Sequence, residues 1–355
     1  MKLLTRYVVR RLGTAALAAL LALAALYSFF DLLNEVGNIG KGSYTTATAF
    51  QYILLQAPSR AYQLMPLAVL LGGLFALNRL AADSEWAVMK TSGLSNADII
   101  RMVLVFGSIF ALVTVLLGEW VAPESSRRAD ALKAAAKSGQ VSASRDGVWI
   151  KEARSMTYIA SVLPDNSLSG VKIWHYGDDF KLREAVYAPR ARVENGQWLL
   201  FDSRSSVLAA EQVRTTAQPQ RLWRSGVGAD LLAILQIKPE QMSFTALGRY
   251  IRHLEQNRQQ TQAYRVAWWN KLTYPAAAAV MALLALAFTP TSGRHTNMGL
   301  KLFGGVCLGL LFYFTGRLFG FTSQLYGVPA FISATLPTAA FAVWAVWRIR
   351  AQEQR

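Results

Sequence analysis

The chain is 355 residues long, 53% of them hydrophobic and only 16% charged, where soluble proteins carry about 25% charged residues. That balance excludes a disordered chain, a coiled coil and a nucleic-acid-binding tail, and it favours a polytopic membrane protein. The net charge of +16, from 37 Lys and Arg against 21 Asp and Glu, suits nucleic acid, anionic lipid or cations gathered on one side of membrane spans. The single cysteine, Cys307, excludes an intramolecular disulfide, and the scattered His175, His253 and His295 form no zinc-enzyme pattern.

A membrane span needs roughly 20 mainly apolar residues. Leu12–Phe30 supplies the first, preceded by Lys2, Arg6, Arg10 and Arg11 and ending near Leu33. Its apolar core is too long for a cleaved signal peptide. Tyr52–Leu77 is the second, interrupted by Pro58, Arg60 and Pro66, and Ile99–Val121 the third. Leu272–Phe288, Leu302–Phe321 and Val328–Trp347 follow a long polar stretch, so six spans are predicted, three and three.

Lys and Arg cluster at the N-terminus, around the second-to-third connection (Arg79, Lys90, Arg101), in the fourth-to-fifth loop (Arg294, Lys301) and after the sixth span. The opposite loops hold Lys41 or no charge, which places both termini in the cytoplasm. Trp120, Trp268 and Trp269 then mark the outer interface, and Trp344 and Trp347 the inner one.

The insertion between the third and fourth spans therefore lies outside. Its segments Gly147–Ile150, Met156–Val162, Val171–Tyr176, Lys181–Val193 and Gln197–Phe201 read as short strands, with Asn195-Gly196 as a hairpin turn. This pattern predicts a sandwich or jelly roll. Ser243–Arg258 returns to helical spacing through Phe244, Leu247, Tyr250, Ile251 and Leu254. The expected architecture is a polytopic α-helical membrane protein whose residues 1–121 and 266–355 hold three spans each. Residues 122–265 are expected to form an inserted all-β domain, sandwich or jelly-roll-like, on the outer side.

No chemistry of catalysis is legible. Gly40-Lys41-Gly42 lacks the spacing of a phosphate-cradling loop, and no GxSxG elbow occurs. Charges at membrane depth mark function by default. Asp31, Glu35, Arg60 and Arg317 stand there, although snorkelling from a span's edge explains Asp31, Lys41 and Arg317 equally well. Guanidinium binds phosphate bidentately, so an outward ring of cations suits a phosphate-bearing lipid.

Residues 79–93 read as one short amphipathic helix ended by Gly93, and Ser95-x-x-Asp98 as a capping box for the third span. Such a rigid cytoplasmic helix is what a permease needs to receive a push from an ATPase. In the fifth span, Gly305-x-x-x-Gly309 and Gly316-x-x-x-Gly320 permit close helix approach, within the chain or between subunits.

Together, Gly42-Ser-Tyr44, Pro66–Gly72, Leu80–Glu85 with Val88-Met89 and Ser92-Gly93, Gly118–Pro123 and Tyr326–Pro329 resemble the LptF/LptG permease family of lipopolysaccharide exporters, more its LptG than its LptF members. The likeness covers essentially the whole chain. It implies a permease subunit that is not itself an enzyme and binds no cofactor. Its expected partners are an LptF-like permease in a heterodimer, an LptB-like ATPase dimer holding ATP and Mg, an LptC-like membrane-anchored jelly-roll protein and an LptA-like periplasmic bridge. The setting is a bacterial inner membrane, the substrate lipopolysaccharide, with no role for nucleic acid.

The resemblance puts Glu85 in the family's ATPase-coupling position, with Asp83, Met89 and Lys90 beside it. It assigns lipid-phosphate contacts to basic residues at the outer mouth: Lys41, Arg60, Arg127, Arg128, Lys133 and Arg317. Arg60 stands one position from the family's basic site, which Ser59 occupies, and Glu35 stands where lysines are common. The alternative is a membrane-anchored sensor or enzyme whose outer β domain binds an envelope ligand; co-purification of an ATPase separates the two.

Overall fold

A computed structural model of the chain describes residues 2–40, 43–137, 148–152, 154–162, 167–179, 181–194, 197–208, 212–223, 239, 242–256, 259–289 and 298–353. Lys41, the Asn195-Gly196 turn and Arg294 lie outside them. The helices are α1 (Lys2–Val36), α2 (Thr46–Ala82), α3 (Glu85–Thr91), α4 (Asn96–Leu116), α5 (Ala122–Lys137), α6 (Phe244–Gln256), α7 (Gln262–Ala287), α8 (Met298–Tyr326) and α9 (Ala330–Glu353). Among the described residues six helical stretches are long and apolar enough to cross a membrane, three before the strands and three after. The chain divides into two compact units. One comprises Met1–Asn34, Ile53–Ser126 and Gln262–Arg355, the other Glu35–Tyr52 and Arg127–Thr261.

In the helical unit α1 buries only a stripe, Val8, Leu12, Ala16 and Leu20, one residue per turn. Leu17 and Leu21, on its other side, are exposed. The α1 backbone comes so close to α2 that a Cβ on Gly72 would sit 2.3 Å from Ala16 Cα. The small residues of α8 divide by role. A Cβ on Gly305 or Gly309 would meet Leu74 or Leu67 of α2 at 2.3 and 2.2 Å, whereas Gly316 has nothing within 4 Å. The first pair is therefore an intrachain contact.

Pro58 and Pro66 interrupt nothing, since α2 runs unbroken through both. Inside a membrane, freed backbone groups find partners on neighbouring helices, so proline is tolerated there. A related adjustment joins α4 to α5. Residues Leu117–Val121 form a π-helical turn, and Pro123 falls at the start of α5, where its missing N–H costs little. Lys271 Nζ of α7 donates to the Gly118 carbonyl at 2.9 Å and lies 4.8 Å from the centre of the Tyr62 ring. A Cβ on Gly118 would strike that ring at 2.4 Å.

The insertion carries one six-stranded antiparallel sheet in sequential order: β1 (Val148–Glu152), β2 (Ser155–Val162), β3 (Leu168–Tyr176), β4 (Leu182–Glu194), β5 (Gln197–Leu208) and β6 (Val213–Trp223). The last strand is absent from the sequence expectation, and β4 pairs with β5 across the expected hairpin, Glu194 opposite Gln197.

The ladders share a defect. Pairing is skipped at Ala160 opposite Gly170, Gly170 opposite Pro189, Pro189 opposite Asp202, and Asp202 opposite Pro219. These positions form one line across the sheet. Gly170 and Asp202 have positive φ (66° and 53°), and Pro189 and Pro219 have no N–H to give. Burial changes parity at the line: Val186 and Ala188 but then Ala191 in β4, Trp198 and Leu200 but then Ser203 and Ser205 in β5. An irregularity on each strand from β2 to β6 bends the sheet while keeping the same face inward.

The bend is large. Glu184 and Arg221 align with Val207 and Leu200 of β5, seven positions apart, or about 23 Å on a flat sheet at 3.3 Å per residue. Yet Arg221 donates twice to Glu184, at 2.6 and 3.0 Å. The two halves of the sheet thus face each other across a core that includes Ile159, Ile173, Val186, Leu200 and Trp198. A single meander folded along a crease makes the two-layered, jelly-roll-like domain.

The Arg221 guanidinium holds the Glu184 carboxyl below its usual pKa, against the opposing effect of burial. A carboxyl depressed on folding adds stability above its unfolded pKa and loses it as pH falls through the folded value. Unfolding of the β unit, followed by tryptophan fluorescence in the detergent-solubilised chain, should therefore become easier below about pH 4.5. Arg221→Ala should cost about 1–3 kcal/mol at neutral pH and flatten this acid dependence.

Candidate functional site

The first candidate is the connection between α2 and α4. The helix expected over residues 79–93 is two pieces. Arg79–Ala82 completes α2, Ser84 adopts a left-handed conformation (φ 60°), and α3 spans only Glu85–Thr91. A single left-handed backbone at a non-glycine residue such as Ser84 leaves no residue-type signal in the sequence. The end signals act as expected: Gly93 has φ 88°, and Ser95 and Asp98 form the capping box of α4.

Glu85 opens α3, where the helix dipole favours a carboxylate. Tyr7 of α1 donates its hydroxyl to Glu85 at 2.8 Å, and Arg11 reaches the other oxygen at 3.3 Å. Arg11 also lies 5.3 Å from the centre of the Tyr7 ring. Glu85 is thus tied to the first turns of α1, a link that sequence reasoning missed because the partners stand more than seventy residues away.

Its companions behave differently. Asp83 pairs with Arg79 at 3.7 Å, both largely exposed, an arrangement worth little. Met89 is buried with Trp86 in the helical core, while Val88 between them is exposed. Lys90 lines a cleft with Trp86, Asn96 and Gln352. Met89 therefore seats the helix rather than presenting itself, and Val88 is the apolar side chain turned outward.

The second candidate is the set of cations expected to meet phosphate. In the helical unit Arg60 faces Asp31 bidentately, Nε to Oδ2 at 2.8 Å and Nη2 to Oδ1 at 2.9 Å. Its remaining nitrogen donates to Gln63 at 3.3 Å, and the guanidinium lies 5.5 Å from the centre of the Tyr27 ring. In the other unit Lys133 of α5 donates to Glu35, which also accepts from Tyr44 Oη at 3.1 Å and Asn38 Nδ2 at 2.9 Å. Lys133 Nζ stands 4.6 Å from the centre of the Tyr52 ring. Glu35 is only 6% exposed, and such a buried carboxylate requires this many donors. Burial and the adjacent Glu35 charge raise the pKa of Tyr44, keeping its hydroxyl a donor.

Arg127 and Arg128 lie on the exposed side of α5. Arg317 is exposed on α8, with its guanidinium 5.8 Å from the centre of the Phe321 ring. Arg60 and Lys133, expected to contact lipid phosphate, are each paired with a carboxylate, Arg60 with Asp31 and Lys133 with Glu35.

Comparison with known proteins gives these features a setting. Over 348 residues, 97% of both chains, the sequence is 29% identical to the lipopolysaccharide export system permease protein LptG of Escherichia coli K12. It is 28% identical over 347 residues, again 97% of both, to LptG of Haemophilus influenzae. With LptF of E. coli K12 it shares 28% identity over 135 residues, 38% of this chain and 37% of that one. Residues 6–351 match the family described as lipopolysaccharide export system permease LptF/LptG, and with six span-length helices around an inserted antiparallel sheet the chain belongs to that family.

Proposed function

We propose that the chain is the LptG-type permease subunit of an inner-membrane exporter, extracting lipopolysaccharide and passing it toward the outer membrane. The observation that carries this reading is the match of residues 6–351 to the exporter family, in a chain with six span-length helices and an inserted antiparallel sheet among its described residues. An LptF-like permease completes the membrane pair. An LptB-like ATPase dimer supplies ATP hydrolysis with Mg, and LptC-like and LptA-like proteins continue the periplasmic path. Residues 1–121 and 266–355 act as the membrane part and 122–265 as the periplasmic domain, with both termini in the cytoplasm. The distribution of Lys and Arg supports that orientation.

In this reading α3 receives the ATPase's movement. Its anchorage supports the role: Trp86 and Met89 fix it to the helical core, and Glu85 fixes it to α1 through Tyr7 and Arg11. A push on α3 then reaches α1 directly. The cations act on lipid phosphates by exchange. A phosphate reaching Arg60 or Lys133 displaces a carboxylate rather than water, so its net gain is smaller than for an open cation, and release is correspondingly easier. A site that must hand its ligand onward benefits from that balance.

Three measurements test this reading. With Cys307 replaced by serine, a cysteine at Asp178 should react with a membrane-impermeant thiol reagent added from the periplasmic side, and one at Thr91 should not; the reverse pattern refutes the orientation. Glu85→Ala should lower lipopolysaccharide release from reconstituted exporter, because it removes the contacts to Tyr7 and Arg11 that tie α3 to α1. Unchanged release and unchanged ATPase association would exclude the coupling role. Arg60→Gln should impair export, and adding Asp31→Asn should relieve the uncompensated carboxylate, restoring stability. Export restored equally would make the pair purely structural; export still impaired places Arg60 on the substrate.

A further inference from the structure

The creased sheet has an inner face that forms the core and an outer face that faces solvent. Outward residues of such a sandwich are ordinarily polar. Here, across the first four cross-strand steps, the register aligns Trp149, Tyr158, Lys172, Tyr187 and Arg204 in one row. Their inward neighbours Ile150, Thr157, Ile173, Val186 and Ser205 are all buried, which assigns the row to the outside.

The rings are arranged rather than scattered. Trp149 is 54% exposed and Tyr187 44%. Trp149 stacks on Trp174 of the adjoining row, centroids 5.6 Å apart and planes within 13°, and leans on Tyr158 at 4.9 Å. Lys172 Nζ stands 5.9 Å from the centre of the Tyr158 ring. Among the described residues neither Lys172 nor Arg204 pairs with a carboxylate, and the row contains none. An outward row in which exposed rings alternate with cations marks a binding surface.

From this row we infer a binding site for an anionic saccharide, the phosphorylated sugar portion of the glycolipid, on the outer face of the β domain; the inference rests on the lipopolysaccharide reading above. Strands about 4.8 Å apart present a ring or a cation at every step. Flat aromatic faces take the apolar faces of sugar rings, and the intervening Lys172 and Arg204 take their charged substituents. A protein partner is the poorer fit, because a standard interface covers about 800 Å² on each side with few charges at its centre, whereas here cations interrupt the strip.

The test uses the assembled exporter in nanodiscs and, as probe, the lipid-free phosphorylated core oligosaccharide cleaved from lipopolysaccharide, with binding read by saturation-transfer NMR and tryptophan fluorescence. Wild type should bind it. Trp149→Ala should weaken binding about fivefold to tenfold, the scale of one lost ring contact, and Trp149→Phe should retain most of it. Phosphatase treatment of the probe should weaken binding to the same extent as Lys172→Ala combined with Arg204→Ala. Equal binding by Trp149→Ala, or full displacement by an equal concentration of inorganic phosphate, overturns the site. ATP-driven export by the same preparations separates the two readings: export without saccharide binding at this row removes this inference alone, while a wild-type exporter that moves no lipopolysaccharide removes the transport reading itself.

Discussion

Hydrocarbon supplies no hydrogen bonds, and most of this structure follows from that. Backbone groups crossing a bilayer must be satisfied within the helix or by a neighbour. Among the described residues the sheet occurs only in the insertion. Inside the helical unit even the departures are covered. Prolines sit within continuous helices, and the π-helical turn after α4 offers the Gly118 carbonyl to Lys271. The same rule governs side chains, for Asp31 and Arg60 neutralise each other through two short hydrogen bonds.

Pairing of this kind reconciles two needs that oppose each other. A permease for a phosphorylated lipid requires cations at the substrate's level, and an apolar setting penalises them when nothing is bound. Carboxylates held opposite the cations offset that penalty. Tyr27 and Tyr52 add ring faces to the two cations, so each has a second stabilising contact beside its acid partner.

Much of the architecture was legible in the sequence because it depends on composition over long windows. Twenty apolar residues announce a span whatever their order, and the Ser95–Asp98 box and the β4–β5 hairpin are local enough to be read directly. What escaped depends on distance or on single dihedral angles. The β6 strand carries Pro219 amid polar residues and joins the sheet at its edge, where no burial pattern reveals it. The left-handed Ser84 divides a segment read from the sequence as one helix. The cations of the candidate site were found, since charge in an apolar stretch stands out. Their acid partners Asp31 and Glu35 were noted only as neighbours, because pairing across 29 and 98 residues is a product of the fold. The anchorage of Glu85 escaped for the same reason.

Because both layers of the β domain are cut from the same strands, they cannot slide past one another or exchange partners as two independent sheets could. Their relation resembles that of two covers sharing a spine, with Gly170, Pro189, Asp202 and Pro219 along the fold and the Glu184–Arg221 pair as a clasp between the boards. Parting the layers means flexing the strands from β2 to β6 together, so the two covers can open only as a unit.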